Sequence, residues 1–159
     1  MNNHLEIERK FLVDEQKWQK PATGTMIRQG FLATNERLAC RIRQKDTSYF
    51  LCIKARVDDI TRHEFEYEVP EDHGRIMLEQ HCERAPIEKV RYEIEHEGMT
   101  WEVDVFQGLN AGLIVAEIEL QNPDQLFALP EWITTEVSTD PRYLNTHLYE
   151  HPYTQWPTN

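Results

Sequence analysis

Glu117 and Glu119 stand two residues apart inside the otherwise apolar run from Leu113 to Leu120. A carboxylate pair in apolar surroundings is costly unless positive charge compensates it. A spacing of two is the period of a β-strand, so both side chains leave the backbone on one face. The same arrangement recurs along the chain. Glu6, Glu8 and Lys10 share a face, as do Arg41 with Arg43, Lys54 with Arg56, and Glu102 with Asp104. Arg62 aligns with Glu64, Glu66 and Glu68, and Lys89 with Arg91, Glu93 and Glu95. Opposite positions are mostly apolar (Leu5, Ile7 and Phe11, or Val90, Tyr92 and Ile94), with Arg9 as an exception. Clustered carboxylates bind Mg²⁺ or Mn²⁺ through oxygen. Neighbouring Arg and Lys bind phosphoryl oxygens, Arg in bidentate fashion.

The wet face of an antiparallel sheet also alternates polar with apolar residues. Such a surface mixes its signs, because like charges held close are destabilising. Here Glu6/Glu8, Arg41/Arg43, Glu64/Glu66, Lys89/Arg91 and Glu117/Glu119 form blocks of one sign. A barrel holding both kinds of block on its inside would bind a metal–polyphosphate complex.

The elements that position these residues follow from the dominant period of two. Strands are expected over 4–12, 26–33, 37–45, 48–56, 62–69, 87–96, 100–106 and 113–121, joined at polar or glycine-containing points such as Glu97-Gly98. Helices are expected over 71–83, from Asn122-Pro123 to about Ala128, and over 141–149 after Thr139-Asp140-Pro141. The fold class is mainly β (α+β): an antiparallel barrel with a few peripheral helices and a C-terminal helix.

The 159 residues amount to one domain, 1–159, with no internal repeat and no linker. A net charge of −11, from 28 acidic and 17 basic residues, argues against sequence-blind nucleic-acid binding, which needs a basic footprint. It leaves a local anion site open. No apolar run spans a bilayer and the first residues lack a signal-peptide pattern, so a cytoplasmic protein without a membrane partner is expected. Cys40, Cys52 and Cys82 suit reduced, half-buried thiols. His147 and His151 are four apart but lack an obvious third metal ligand. No Gly-rich phosphate loop, Ser-centred elbow or Cys/His pairing is present.

His4-Leu5-Glu6-Ile7-Glu8-Arg9-Lys10-Phe11-Leu12-Val13 resembles the opening strand of the CYTH superfamily, the triphosphate tunnel metalloenzymes. The likeness continues in order through Ile27-Arg28-Gln29-Gly30-Phe31, Arg41-Ile42-Arg43, Lys54, Arg62-x-Glu64-x-Glu66, Glu88-Lys89-x-Arg91-Tyr92, Trp101 to Phe106 and Glu117-Ile118-Glu119-Leu120. Glu136-Val137-x-x-Asp140-x-Arg142-Tyr143-x-Asn145 completes it, so the resemblance spans about 4–147. It is nearest to the short bacterial branch of inorganic triphosphatases and weaker toward the class IV adenylate cyclases.

The resemblance implies an eight-stranded antiparallel closed tunnel and hydrolysis of a terminal phosphoryl group of a linear triphosphate. It implies that Glu6, Glu8 and a carboxylate of the Glu117/Glu119 pair hold Mg²⁺ or Mn²⁺, with Asp104 a further acidic position suited to ligating a second metal or to orienting water. Lys10, Arg41, Arg43, Lys54, Lys89 and Arg91 would line the phosphate path, joined by Arg28, Arg62 and Arg142. Of these, Lys10 and Lys89 are catalytic candidates, together with Glu64 and Glu66, which the resemblance makes suited to a second metal or to orienting water. The implied partner is a triphosphate-containing small molecule, and the chain is expected alone or as a homodimer. Adenylate cyclase, nucleoside or thiamine triphosphatase, and a non-catalytic polyphosphate-binding module are the rival readings. Phe31 replaces a tyrosine common in relatives, and Pro141 and Leu144 flank Arg142-Tyr143 where relatives are lysine-rich.

Overall fold

The computed structural model, which describes residues 4–157, has nine strands among those residues, eight of them where side chains alternate. The expected strands are β1 (Leu5–Val13), β2 (Thr25–Thr34), β3 (Leu38–Lys45), β4 (Ser48–Arg56), β5 (Thr61–Val69), β6 (Ile87–His96), β7 (Met99–Gln107) and β8 (Ile114–Leu120). Neighbours run β5-β4-β3-β2-β6-β7-β8-β1, all antiparallel, and β1 pairs back onto β5 to close the ring. Between β6 and β7, Glu97 and Gly98 take φ of 49° and 76°. Successive positive φ values suit the tight turn that matches strand twist.

Three expectations need correction. A ninth strand, β9 (Ile133–Glu136), pairs with Phe11 and Val13 of β1, on the edge whose other half, Leu5–Ile7, is taken by β5. Its sequence, Ile-Thr-Thr-Glu, has one apolar residue and no readable alternation, so the backbone edge of β1 supplies the signal. The helix expected over 122–128 does not form. Asn122 Oδ1 accepts from the Asp124 N–H at 3.1 Å, and a single Gln125 N–H to Asn122 carbonyl bond closes one turn. Leu126 is 94% exposed there, so a helix would have no stripe to bury. The helix expected over 141–149 is broken: a 3₁₀ turn at Pro141–Tyr143, capped by Asp140, is followed by Leu144 at ψ 139° and then α2 (Asn145–Glu150). The helix expected over 71–83 is α1 (Glu71–Gln80), ending at His81.

Charged side chains occupy the inside along most of the barrel, so apolar ones face outward and require cover. Ile7, Phe11, Trp101, Val103 and Ile118 are covered by Trp18 from the segment after β1 and by Phe127 and Trp132 from the segment after β8. Each such large side chain contributes about 1.5–3 kcal/mol through burial. Leu78 of α1 packs on Ile42 and Tyr49, and Gly74 lies so close to Tyr49 that a Cβ would fall 2.3 Å from it. At one end the interior itself turns apolar. Phe31, Ile87, Phe106 and Val115 meet Leu148 and Tyr149 of α2 there, with the Phe31 and Tyr149 rings 5.2 Å apart. The C-terminal helix thus plugs one end of the tunnel.

Candidate active site

The charged rows converge on a cavity of about 420 Å³ inside the barrel. Seven cationic side chains line it: Lys10, Arg41, Arg43, Lys45, Lys54, Lys89 and Arg91. Seven carboxylates face them: Glu6, Glu8, Glu64, Glu66, Glu102, Glu117 and Glu119. Strand register explains the convergence, since directly paired residues share a face. Glu8 pairs with Glu119, Lys10 with Glu117, Glu102 with Glu117, Arg41 with Cys52, and Lys54 with Glu64. The cavity is formally neutral although the chain carries −11. A neutral, two-signed wall suits a polyanion that arrives with its own cations.

The carboxylates cluster on the β1–β8–β7 side. Glu6, Glu8, Glu102, Glu117 and Glu119, with Thr100, surround a recess of about 100 Å³. Burial, with Glu8 and Glu64 beside it, pushes the Glu6 carboxyl up to about 8 against the pull of Lys54. Burial and the neighbouring Glu64 and Glu8 also raise Glu119. Glu117 goes the other way: burial opposes its charge, but Lys10, Arg91 and Lys89 hold it well below the ordinary carboxylate range. A cluster of oxygen donors in which burial and neighbouring carboxylates raise Glu6 and Glu119 fits a hard divalent cation, which would relieve that repulsion. Cation binding must then displace the Glu6 proton, so affinity should rise with pH up to about 8 and level off above it. Calorimetry at pH 7 in buffers of different ionisation enthalpy should register proton release; a heat independent of buffer would contradict it. The same shift means that Glu6 stabilises the metal-free fold below its ordinary 4.5, a contribution lost as pH rises through about 8.

The basic wall is built on β3, β4 and β6. Lys54 Nζ reaches Glu6 at 2.5 Å, and Lys10 Nζ reaches Glu117 at 2.7 Å and Glu8 at 3.2 Å. Arg43 bonds Glu66, while Arg41 stands 3.7 Å from Glu64. Arg41 and Arg43 are buried, and the Nε of each has no hydrogen-bond partner among the described residues. Buried donors are normally satisfied, so two unpartnered guanidinium Nε donors on one cavity wall point to an anionic guest.

Asp104 braces this wall instead of lining the cavity. It is fully buried and accepts from Lys89 Nζ at 2.5 Å and from Arg91 Nε and Nη2 at 2.7 and 2.8 Å. Arg91 and Lys89 outweigh burial and keep its carboxyl below its ordinary value. One carboxylate shared by two cations leaves Lys89 under-compensated. Burial, with Arg91 adding to it, lowers the Lys89 ammonium to about 8.

Of the residues picked from sequence, Glu6, Glu8, Lys10, Arg41, Arg43, Lys54, Glu64, Glu66, Lys89, Arg91, Glu117 and Glu119 meet at the main cavity. Arg62 lies at an adjoining recess that shares Glu8, Lys10, Arg41 and Lys54 with it. Arg28 points away, 3.3 Å from Glu88 on the outer face of β2. Its neighbours Gln29 and Ile27 take the inward positions, pairing with Arg43 and Lys89. Arg142 also lies outside, bound to Asp140 at 2.6 Å and set over the Tyr143 and Trp156 rings. Arg142→Ala should therefore change turnover by less than about twofold, as expected of an exposed pair, and a steady-state assay checks this. Sequence reasoning missed Lys45, Glu102 and Asn145, all of which line the cavity. The pairing of Glu102 with Asp104 at strand spacing was the available signal for one of them; Asn145 reaches the cavity only because α2 plugs the barrel.

Comparison with known proteins follows the same lines. The CYTH domain matches residues 4–147. An inorganic triphosphatase of Acetivibrio thermocellus is 43% identical over 148 residues, covering 93% of this chain and 95% of that protein. An inorganic triphosphatase of Nitrosomonas europaea is 35% identical over 151 residues, covering 90% and 95%. The crystal structure of an inorganic triphosphatase superposes with a TM-score of 0.66 at 32% identity, over 91% of this chain and 93% of the other. A Hippeastrum protein described as an adenylyl cyclase with dominant triphosphatase activity shares the fold alone, at 17% identity and a TM-score of 0.55 over 74% of this chain and 80% of that one. With its charged tunnel and a match across nearly its whole length, the chain belongs to the CYTH domain family.

Proposed function

We propose that this chain is a divalent-metal-dependent triphosphatase that hydrolyses the terminal phosphoryl group of a linear triphosphate, inorganic tripolyphosphate foremost. The carrying observation is the pairing, in one formally neutral cavity, of a cluster of carboxyl groups with unpartnered guanidinium donors. The likeness to two inorganic triphosphatases supports the same reading.

Glu6, Glu8, Glu117 and Glu119 are the residues that would hold Mg²⁺ or Mn²⁺. A divalent cation held by these carboxylates would supply charge neutralisation to the triphosphate. Arg41, Arg43 and Lys54 bind the phosphate chain from the opposite wall, and Lys10, Lys89 and Arg91 stabilise the charge that gathers on the leaving pyrophosphate. Glu64 and Glu66 are positioned to orient a water for in-line attack. Water supplies an oxygen to the terminal phosphorus, the phosphoanhydride bond breaks, and orthophosphate and pyrophosphate leave. No side-chain nucleophile is required.

As the described residues line it, the cavity wall is charged with little aromatic surface. His4, at the exposed end of β1, is the one ring among its lining residues, whereas Trp18, Trp101 and Trp132 pack outside the barrel. A screen of tripolyphosphate, ATP and thiamine triphosphate, each with Mg²⁺ and with Mn²⁺, should give fastest phosphate release from tripolyphosphate and no cyclic AMP from ATP. Cyclic AMP as the main product would transfer the chain to the cyclases. Tight tripolyphosphate binding without release would make it a binding module.

A further inference from the structure

Cys52 belongs to neither wall of the proposed reaction, yet it lies among charged groups. It sits mid-strand on β4, fully buried, directly paired with Arg41 on one side and Glu66 on the other. Its Sγ is 3.1 Å from Glu66 Oε2. Glu64 occupies the same face of β5 two residues earlier, and Cys52 Sγ and one oxygen from each carboxylate lie within 4.8 Å of one another. Arg41 stands 3.7 Å and Lys54 3.8 Å from the Glu64 carboxylate, both beyond normal hydrogen-bond reach, and its side-chain hydrogen-bond partner is the Glu6 carboxyl. Glu64 and Glu66 also face the cavity, which gives an ion a path in and room for a fourth ligand.

We infer that Cys52, Glu64 and Glu66 form a second metal site, selective for a thiophilic divalent cation of the zinc class and separate from the all-oxygen site around Glu8. Sulfur is the discriminating donor: thiolate selects Zn²⁺ and its congeners, whereas Mg²⁺ and Mn²⁺ prefer oxygen. Bonds of about 2.3 Å to sulfur and about 2.1 Å to oxygen set tetrahedral donors about 3.6 Å apart. Side-chain rotation over roughly 1 Å closes the present spacing to that value. On binding, the Cys52 S–H proton leaves to solvent and the thiolate takes the metal. Glu66 must release Arg43, and Glu64 must turn from Glu6, Arg41 and Lys54. Occupancy therefore disorders the phosphate wall and removes both water-orienting carboxylates, so Zn²⁺ should inhibit. Only this inhibitory consequence rests on the triphosphatase reading; the site itself does not.

The test titrates Co²⁺ into the metal-stripped chain in the presence of excess Mg²⁺ and follows thiolate-to-metal charge-transfer absorption. One equivalent should saturate it. Cys52→Ser should abolish the band, Cys40→Ser and Cys82→Ser should retain it, and Glu66→Gln should weaken Co²⁺ affinity at least about tenfold. The glutamate variant keeps the test decisive if Cys52→Ser does not fold. No band in the wild-type chain, or a band that survives Cys52→Ser, would overturn the site. In a parallel turnover assay under saturating Mg²⁺, Zn²⁺ should arrest phosphate release by the wild type and spare Cys52→Ser. Equal inhibition of both would mean that Zn²⁺ acts at the oxygen site, and a chain inactive without Zn²⁺ would indict the triphosphatase reading while leaving the absorption result to stand.

Discussion

Replacing Glu8 with glutamine is expected to lower metal-dependent phosphate release by at least about 100-fold, the scale seen when one charge-stabilising group is lost. Glu8 faces both the main cavity and the carboxylate recess. Burial works against its charge, but Lys10 and Lys54 together keep its carboxyl below its ordinary value. It is thus ionised and ready for a cation where Glu6 is not. Glutamine keeps the shape and removes the charge, and Lys10 retains Glu117 at 2.7 Å, so the barrel should remain folded. Phosphate release, with circular dichroism and metal calorimetry on the same sample, separates lost chemistry from lost structure. Glu119→Gln should behave similarly, since Glu119 pairs directly with Glu8. Undiminished turnover in both variants would refute the metal assignment.

Asp104→Asn is expected to act on stability. Its carboxylate is the shared partner of fully buried Lys89 and partly buried Arg91. Removing one partner from a buried ion pair typically costs about 3–5 kcal/mol, because the cations left behind can no longer reach water. Arg91 keeps Glu102 at 2.6 Å and Glu117 at 3.6 Å, whereas Lys89 keeps no carboxylate within salt-bridge distance among the described residues. The urea midpoint should fall sharply while the number of Mg²⁺ or Mn²⁺ ions bound stays the same. The sequence reading of Asp104 as a metal ligand requires the reverse, a stable fold with weaker metal binding, so one variant decides between the two roles.

That contrast shows what was legible in the residues. Strand positions and the direction of each charged row followed from period-two alternation, because burial of one face forces it. Alternation alone left the rows on a wet sheet or inside a barrel; closure of β1 onto β5 puts them inside. What residue types could not convey was depth. Asp104 and Glu102 share a face, but Asp104 is sealed behind Lys89 and Arg91 while Glu102 reaches the cavity. Arg28 and Arg142 carry the right charge within the matching segments, but register turns one outward while Asp140 holds the other at the surface. The false helix at 122–128 came from a good start signal with no apolar stripe behind it. β9 escaped because its pairing depends on an open backbone edge, which no side-chain pattern encodes. The plug by α2, and with it Asn145, depends on the long return of the chain into the barrel.

The most direct test of the account is product analysis on tripolyphosphate with the wild-type chain. With Mg²⁺ or Mn²⁺ present, orthophosphate and pyrophosphate should appear in equal amounts, and a chelator should stop both. Turnover that persists in chelator, or tripolyphosphate that binds and remains intact under both metals, would contradict a metal-dependent triphosphatase built on this tunnel.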